Sequence, residues 1–172
     1  MESTLISQIS TKLIRAGIAK SQEIKGCSPD EIRRLEAHYN LSLPKRYQEF
    51  LREMGHRAGL FYQGTDMFYE TLIDLREGAS QLLREDESWF QLPDDAFVFF
   101  LHQGYQFMYF RTANGNDDPP VFNYLEGDGT PTPTYDSFSE FLLESVEDHI
   151  RILKNQGNKP IKKARWKGFL KG

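Results

Sequence analysis

The sequence predicts an α+β fold: a single domain in which N-terminal and C-terminal helices pack on a curved, largely antiparallel sheet of about five to six strands. Three observations predict it. Segments with helical periodicity come first, aromatic and β-branched runs separated by turn residues follow, and one further helical segment closes the order. The length of 172 residues fits one domain with a sizeable core.

The first two predicted helices lie in the N-terminal forty residues. Residues 4–19 place apolar side chains at helical spacing, which predicts an amphipathic helix that must dock on a neighbour. A second helix begins after Ser28, because serine is a good N-cap, Pro29 fits the first helical position, and Glu31 completes a capping box. Asn40 suits the left-handed conformation that ends many helices, so this helix is predicted to stop just before it.

A third helix is predicted in the segment LSLPKRYQEFLREMG. Pro44 can begin this helix, because the N–H that proline lacks would have no intrahelical partner at that position. Gly55 is placed as its C-terminal stop. One apolar stripe follows Leu43 and consists of Tyr47, Phe50, Leu51 and Met54.

Aromatic and β-branched runs bounded by turn residues predict the strands. These runs span residues 60–62, 67–75, 97–102, 105–110 and 121–125. A hairpin turn is predicted at Gln103-Gly104, and longer turns are predicted at residues 114–120 and 126–134.

Two more helices complete the pattern. One is predicted from Arg76 to Phe90, and a closing helix begins with a capping box of Ser137 and Glu140. The predicted organisation is an N-terminal amphipathic helix at 1–25, an α+β domain at 26–153 and a basic C-terminal tail at 154–172.

Charge is distributed unevenly along the chain. The net charge is −4, but residues 154–172 carry seven basic and no acidic side chains, which leaves a net of −11 on residues 1–153. An acidic body repels nucleic acid and attracts basic proteins. The tail interleaves its charges with Trp166, Phe169 and Leu170, so contact with a membrane or RNA and a solvated terminus both stay open for it.

The sequence also limits the compartments in which the protein could occur and the cofactors that it could bind. No window approaches the roughly 18 apolar residues of a membrane span, and the N-terminus lacks the pattern of a secretory signal. Cys27 is the sole cysteine, which fits a reducing compartment, and with four scattered histidines it gives no zinc-type spacing. We therefore predict a cytoplasmic protein with no membrane span, no metal and no cofactor.

Two residues are candidates for catalysis, each with an ordinary alternative. His102 ends a predicted strand and could act as a base, but a histidine that bonds a backbone carbonyl in a turn fits as well. Cys27 precedes a helix start, where the helix dipole could lower its pKa, but neither a base nor an oxyanion donor can be placed beside it. Gly-rich phosphate loops are absent from the sequence. The chain is therefore predicted not to be an enzyme.

Acidic residues gather in the two turns that flank the last predicted strand. They are Asp117, Asp118, Glu126 and Asp128. Three interpretations stay open: solvated turns, an acidic docking surface for a basic partner, and a calcium site. Calcium fits least, because the spacing is not that of an EF-hand loop and no closing bidentate glutamate follows.

Several short motifs occur in order along the chain. G-x-S-P-x-E-I-x-x-L-E spans Gly26 to Glu36, L-P-x-x-Y-x-x-F-L spans Leu43 to Leu51, and Gly55 follows. Further along come His102-Gln103-Gly104, the strand Tyr105 to Phe110, Asp118-Pro119-Pro120-Val121, and a helix start at Ser137-Phe138 with Glu140 and Leu142. Over residues 26–152 this ordered set resembles the SUKH superfamily. Its largest groups are bacterial immunity proteins against polymorphic toxins, and another group is a fungal cell-wall-synthesis regulator.

The resemblance implies an α+β domain with helices against a curved sheet, no catalytic residues, and function by binding, commonly to a toxin domain that is often a nuclease or deaminase. Two features depart from the pattern: the His-Arg-Ala-Gly loop after Gly55, where Gly-Gly or Asn-Gly is more usual, and the basic tail. We therefore predict a monomeric or weakly self-associating immunity protein that binds its cognate toxin, or another basic protein, in a stoichiometric complex. The predicted partner-binding residues are Asp117, Asp118, Glu126 and Asp128, then Asp66 and Glu70, with Tyr105 and Tyr124 as aromatic anchors.

Two other hypotheses remain. One is a regulatory or scaffolding module of the same fold that is not linked to a toxin. The other is an unrecognised hydrolase or transferase, which predicts a concave pocket where His102 meets carboxylates.

Overall fold

Six α-helices and six strands make up the described part of the chain, residues 4–155 of a computed structural model. The helices are α1 (Leu5–Arg15), α2 (Pro29–Tyr39), α3 (Lys45–Met54), α4 (Tyr69–Leu72), α5 (Leu75–Glu85) and α6 (Phe138–Asn155). The strands are β1 (Ile24–Lys25), β2 (Arg57–Ala58), β3 (Ala96–His102), β4 (Gln106–Arg111), β5 (Val121–Leu125) and β6 (Thr132–Tyr135). The α+β class predicted from the sequence is confirmed.

The four longer strands form an antiparallel sheet in the order β3-β4-β5-β6. β3 and β4 are joined at the predicted hairpin turn, where Gln103 and Gly104 take φ angles of 48° and 78°. β6, the last strand in this order, contains Pro133 and is preceded by Pro131. β1 and β2 form a separate antiparallel pair, which the sequence did not reveal.

The hydrophobic core lies on both faces of the main sheet. On one face, the Tyr47 ring of α3 lies 5.3 Å from that of Phe97 and 5.1 Å from that of Phe138 in α6, measured between centroids. On the other face, α5 and the segment after it cover the sheet, and the Phe90 ring lies 6.4 Å from that of Tyr109. The predicted apolar stripe of the third helix is wholly buried.

α1 is shorter than the predicted helix over residues 4–19, and its apolar face is buried as expected. Ile6, Ile9 and Leu13 are buried in the common core. The Ser10 hydroxyl donates to Glu53 of α3 at 2.6 Å, which ties the two helices together. Of the predicted tail at 154–172, Lys154 and Asn155 belong to α6, and the rest lies outside the described residues.

The predicted boundaries of α2 are confirmed. Glu31 N–H donates to the Ser28 hydroxyl oxygen at 3.3 Å, and Ser28 N–H donates to the Glu31 carboxylate at 2.8 Å, so the capping box is complete. Asn40 takes the left-handed conformation, with φ 51° and ψ 48°. These features could be predicted because each depends on residues within one turn of the helix end.

Two predicted strands are wrong. Residues 60–62 form a turn, because Gly59 and Tyr62 have φ angles of 63° and 52°, which an extended strand cannot contain. Residues 67–75 contain α4 and the start of α5. Their aromatic and β-branched content favoured a strand, but the buried residues Leu72, Leu75, Ala79, Leu82 and Leu83 follow helical spacing into α5.

Three smaller predictions also need correction. β6 begins inside the predicted turn over residues 126–134, and α5 ends at Glu85 rather than near Phe90. Gly55 ends α3 without a left-handed conformation, since its φ is −63°. Its role is spatial, because a Cβ there would lie 2.5 Å from both Cys27 Sγ and the Leu51 carbonyl oxygen.

Candidate functional site

The four acidic residues that the sequence grouped lie at opposite ends of the main sheet. Asp117 and Asp118 belong to the loop from β4 to β5, whereas Glu126 and Asp128 belong to the loop from β5 to β6. β5 separates the two loops by five residues of extended chain, roughly 17 Å. The four therefore do not form one contiguous cluster.

Asp117 and Asp118 join the β4–β5 loop to two helices. The Asp117 carbonyl accepts from Arg46 N–H in the first turn of α3 at 2.9 Å. The Asp118 carboxylate accepts from Ser139 N–H in the first turn of α6 at 2.9 Å, a favourable position for a negative charge at a helix N-terminus. Asp118 therefore has a structural role, while the Asp117 side chain is exposed.

Glu126 and Asp128 lie at the same end of the sheet as the β3–β4 hairpin. Glu126 N–H donates to the Tyr105 carbonyl at 2.8 Å, and the Asp128 carboxylate accepts from Leu125 N–H at 3.1 Å. Asp66 lies at this end too, because its backbone forms a bridge with Leu101 at the edge of β3. Both loop carboxylates are exposed.

The structure adds acidic residues from the end of α5 to this loop. The Asp86 carboxylate accepts from Gly127 N–H at 2.8 Å and from the Tyr124 hydroxyl. These two hydrogen bonds lower the pKa of Asp86, so it carries its charge. We call the resulting surface the acidic patch; its residues are Glu85, Asp86, Glu87, Glu126 and Asp128. The run Glu-Asp-Glu was visible in the sequence, but its contact with the β5–β6 loop depends on the fold.

A large exposed aromatic side chain adjoins the acidic patch. Trp89 is 80% exposed, which is unusual for tryptophan. It borders an open cavity of about 390 Å³, whose other lining residues include Arg76, Ser80, Leu83, Phe90 and Leu92. The Ser88 hydroxyl donates to the Gly129 carbonyl at 2.6 Å, which connects this segment to the loop that carries Glu126. Trp89 is not among the partner-binding residues predicted from the sequence.

The two predicted aromatic anchors lie in different environments. Tyr124 is fully buried and its hydroxyl donates to Asp86, so its ring presents no surface to a partner. Burial raises the pKa of Tyr124 to about 12. Tyr105 is half-buried, with its ring edge-on to His102 at 5.4 Å between centroids. Of the two, only Tyr105 has surface available for contact.

His102 is buried, so it does not lie where an exposed catalytic base would. It is 2% exposed, its Nδ1 lies 2.8 Å from the Thr65 hydroxyl, and its ring packs beside Tyr105. Burial lowers the pKa of His102. Because its side chain is almost fully enclosed, His102 does not open onto a pocket with carboxylates of the kind that a hydrolase or transferase would require.

A second cluster joins residues that are far apart in the sequence. The Cys27 Sγ, a Glu31 carboxylate oxygen and a His56 ring nitrogen all lie within 4.8 Å of one another. His56 Nε2 lies 3.1 Å from Glu31 Oε1, and His56 Nδ1 lies 2.6 Å from Glu70 Oε1. Spacing along the chain could not reveal this cluster, because His56 reaches it through the packing of α3 on the β1–α2 connection. Glu70 was predicted to bind a partner, and it contacts His56 here.

The protonation of this cluster follows from its surroundings. Burial raises the pKa of the Cys27 thiol to about 12, with the nearby Glu31 and Glu70 carboxylates acting in the same direction. Hydrogen bonds from the Ser28 backbone and hydroxyl lower the pKa of Glu31 to about 2. The thiol is thus neutral at pH 7, and Glu31 is ionised.

Comparison with known protein families identifies the family of this chain. Residues 29–142 match the family described as SUKH_6: SMI1-KNR4 cell-wall. No curated protein matches the chain. Among the described residues, none of the helices combines the length and the apolar content needed to cross a bilayer.

Proposed function

Because the chain belongs to the SUKH_6 (SMI1-KNR4) family, we propose that it is a non-catalytic binding protein, and specifically an immunity protein that neutralises a cognate bacterial toxin in a stoichiometric complex. The family supports a binding role of the immunity or regulator type. That the partner is a toxin goes one step further, and we propose a nuclease or deaminase domain that acts in the cytoplasm.

The observation that carries the proposal is the acidic patch beside Trp89. Nucleases hold phosphates in basic grooves, and an acidic surface of matching shape can cover such a groove and attract it over a distance. Five carboxylates at the end of α5 and on the adjoining β5–β6 loop provide the charge. The exposed indole of Trp89 supplies an apolar anchor of the kind that dominates interface energies.

We assign the interface to the end of the sheet that carries Glu126, Asp128 and the half-buried Tyr105, with Asp66 at its margin. Asp117 at the opposite end is the natural comparison residue, since it is also an exposed carboxylate on a loop of the same sheet. Bound in this way, the protein inhibits by covering the toxin's active site, without any chemical step of its own.

The test compares two charge reversals, Glu126→Lys and Asp117→Lys, in association with the toxin domain encoded by the neighbouring gene. We expect Glu126→Lys to slow association about tenfold at low salt and to flatten its salt dependence, because it removes attraction at the interface. Asp117→Lys makes the same change in net charge and should slow association far less. Equal effects of the two variants would remove the acidic patch from the interface.

Trp89→Ala tests the anchor independently of charge. We expect it to raise the dissociation rate, with a loss of binding free energy of about 2 kcal/mol, because indole anchors act mainly after encounter. A neighbouring gene product that neither co-purifies with the chain nor poisons cells lacking it would contradict the immunity proposal.

A regulatory role is the second candidate, and the description of the matched family favours it by referring to the cell wall. Under this proposal the same surface binds an endogenous basic protein. Loss of the gene would then change growth under cell-wall stress in the absence of any toxin, whereas an immunity protein is required only when its toxin is produced.

A further inference from the structure

We propose that Cys27, Glu31 and His56 form a binding site for a divalent transition-metal ion of the zinc class, with three protein ligands and one open coordination position. The donors are one sulfur, one carboxylate oxygen and one imidazole nitrogen, and they lie within 4.8 Å of one another. This site shares no residue with the acidic patch, so the result of its test does not depend on the proposed function.

The donor atoms are close to the spacing that one ion requires. Zinc binds sulfur at about 2.3 Å and nitrogen or oxygen at about 2.0–2.2 Å, so two donors on one tetrahedral ion lie roughly 3.3–3.6 Å apart. His56 Nε2 and Glu31 Oε1 are 3.1 Å apart. Side-chain rotations that move each donor atom by less than roughly 1 Å would bring all three donors within bonding distance of one ion.

Neighbouring groups orient two of the three ligands. Glu70 Oε1 lies 2.6 Å from His56 Nδ1, which leaves Nε2 as the nitrogen that faces Glu31. Ser28 donates to Glu31 Oε2 from its backbone N–H at 2.8 Å and from its hydroxyl at 3.0 Å, so Oε1 is the oxygen that faces the site. A carboxylate behind a histidine ligand and hydrogen bonds behind a carboxylate ligand are the usual supports of metal sites in proteins.

The backbone on both sides of the site is fixed. Cys27 N–H donates to the Leu51 carbonyl at 2.7 Å, and His56 N–H donates to the Lys25 carbonyl at 2.9 Å. Gly55 leaves room for the thiol, because a Cβ there would lie 2.5 Å from Cys27 Sγ. The thiol and the imidazole are therefore held close together by main-chain contacts that do not depend on the ion.

Charge and donor type select the ion. Two carboxylates, Glu31 and Glu70, make the surroundings of the thiol negative, which favours a cation there. Sulfur and imidazole donors favour zinc, cobalt or copper over magnesium and calcium, which prefer oxygen. The Cys27 side chain is buried, whereas Glu70 is 63% exposed, so the ion enters from the side of Glu70. Binding releases the thiol proton to solvent as the sulfur–metal bond forms.

Cobalt(II) titration of the full chain under reducing conditions tests the site. We expect one equivalent to bind and to produce a thiolate-to-cobalt charge-transfer band, and zinc to displace it. The band reports on Cys27 alone, since the chain has one cysteine. Zinc should also raise the melting temperature of the wild type as its concentration increases, because it binds the folded state.

Variants separate the ligands from their supports. Cys27→Ser should abolish the band, and Glu70→Gln should keep the one-to-one stoichiometry while weakening zinc binding about 10- to 100-fold. His38→Asn, which changes an exposed histidine outside the cluster, should bind as the wild type does. Circular dichroism checks that each variant is folded. Cobalt binding without a thiolate band, or zinc binding that Cys27→Ser leaves unchanged, would overturn the proposal.

Discussion

Tyr47 and Tyr62 are both buried, but their hydroxyl groups have different surroundings. The Tyr62 hydroxyl lies 2.7 Å from that of Ser145 in α6. The Tyr47 hydroxyl is buried with no hydrogen-bond partner among residues 4–155, although its ring contacts Phe97 and Phe138 at the centre of the core. Tyr47 thus stabilises the fold through its ring, and its hydroxyl costs free energy.

We therefore predict that the same substitution, tyrosine to phenylalanine, changes the free energy of unfolding differently at the two positions. Tyr62→Phe should lower the free energy of unfolding by about 1 kcal/mol, because it leaves Ser145 without that bond. Tyr47→Phe should leave the free energy of unfolding unchanged or raise it by about 1 kcal/mol. Urea denaturation measures both. A loss at Tyr47→Phe equal to that at Tyr62→Phe would show that the Tyr47 hydroxyl has a partner.

His149 predicts a dependence of stability on pH. It is 3% exposed, its Nδ1–H donates to the Ser145 carbonyl, and its Nε2 accepts from Tyr62 N–H. Burial lowers the pKa of His149 to about 4, whereas an unfolded histidine has a pKa near 6.5. Between these values the unfolded state binds more protons than the folded state, so stability falls as the pH falls.

We expect the free energy of unfolding to drop by about 2 kcal/mol from about pH 7 to about pH 5, as His149 alone would give, with His102 acting in the same direction. Urea denaturation at the two pH values measures the drop. Proton NMR of the imidazole checks the cause, and titration of His149 near pH 6.5 in the folded protein would contradict it.

Helices and strands were predicted correctly where they depend on neighbouring residues, and less well where they depend on contacts between distant segments. Both ends of α2 were predicted correctly because Ser28, Glu31 and Asn40 act within one turn of them. Residues 67–75 were misassigned because strand-type composition and helical spacing conflict over a short segment, and packing on β3 decides between them. The β1–β2 pair depends on contacts between distant segments, which a local pattern cannot show.

Gly26 permits the close approach of α3 to the segment before α2. A Cβ at this position would fall within the van der Waals envelope of the Arg52 carbonyl oxygen, which belongs to backbone and cannot rotate away. The φ angle of Gly26 is not positive, so the need for glycine is steric alone. This contact gives the glycine of the motif Gly26 to Glu36 a structural role.

Gly26→Ala should therefore lower the free energy of unfolding by about 3 kcal/mol or more. Gly17→Ala is the matched control: φ is 73° there, and a Cβ would meet nothing within 4 Å, so only backbone strain of about 1–2 kcal/mol is expected. Urea denaturation compares the two. Losses of equal size would show that α3 can move away from residue 26.

At the scale of the whole molecule, the sequence revealed the sign of the charge but not its arrangement. The net of −11 on residues 1–153 indicated an acidic body. The fold then separated Asp117 and Asp118 from Glu126 and Asp128, and joined the latter two to the end of α5. Proximity in sequence did not predict proximity in space, because β5 lies between the two loops.

Charge on the whole chain also leads to a prediction about association. Deleting residues 156–172 removes six basic side chains and no acidic ones, which changes the net charge from −4 to −10. We expect the shortened chain to associate faster with a basic partner at low salt, because long-range attraction increases with net charge. Stopped-flow measurements at low and high salt test this. The difference should disappear at high salt, and its persistence there would point to direct contacts instead.

The two margins of the main sheet restrict how any partner can be recognised. At one margin, both backbone groups of Leu101 are already paired with Asp66. At the other, Pro133 and the preceding Pro131 lack the N–H donors that an incoming strand would need. These features disfavour extension of the sheet at Leu101 and at Pro131 to Pro133, whether by a strand of a partner or by a second copy of the chain. Exposed side chains on the loops, in contrast, can change without disturbing the hydrogen bonds of the sheet.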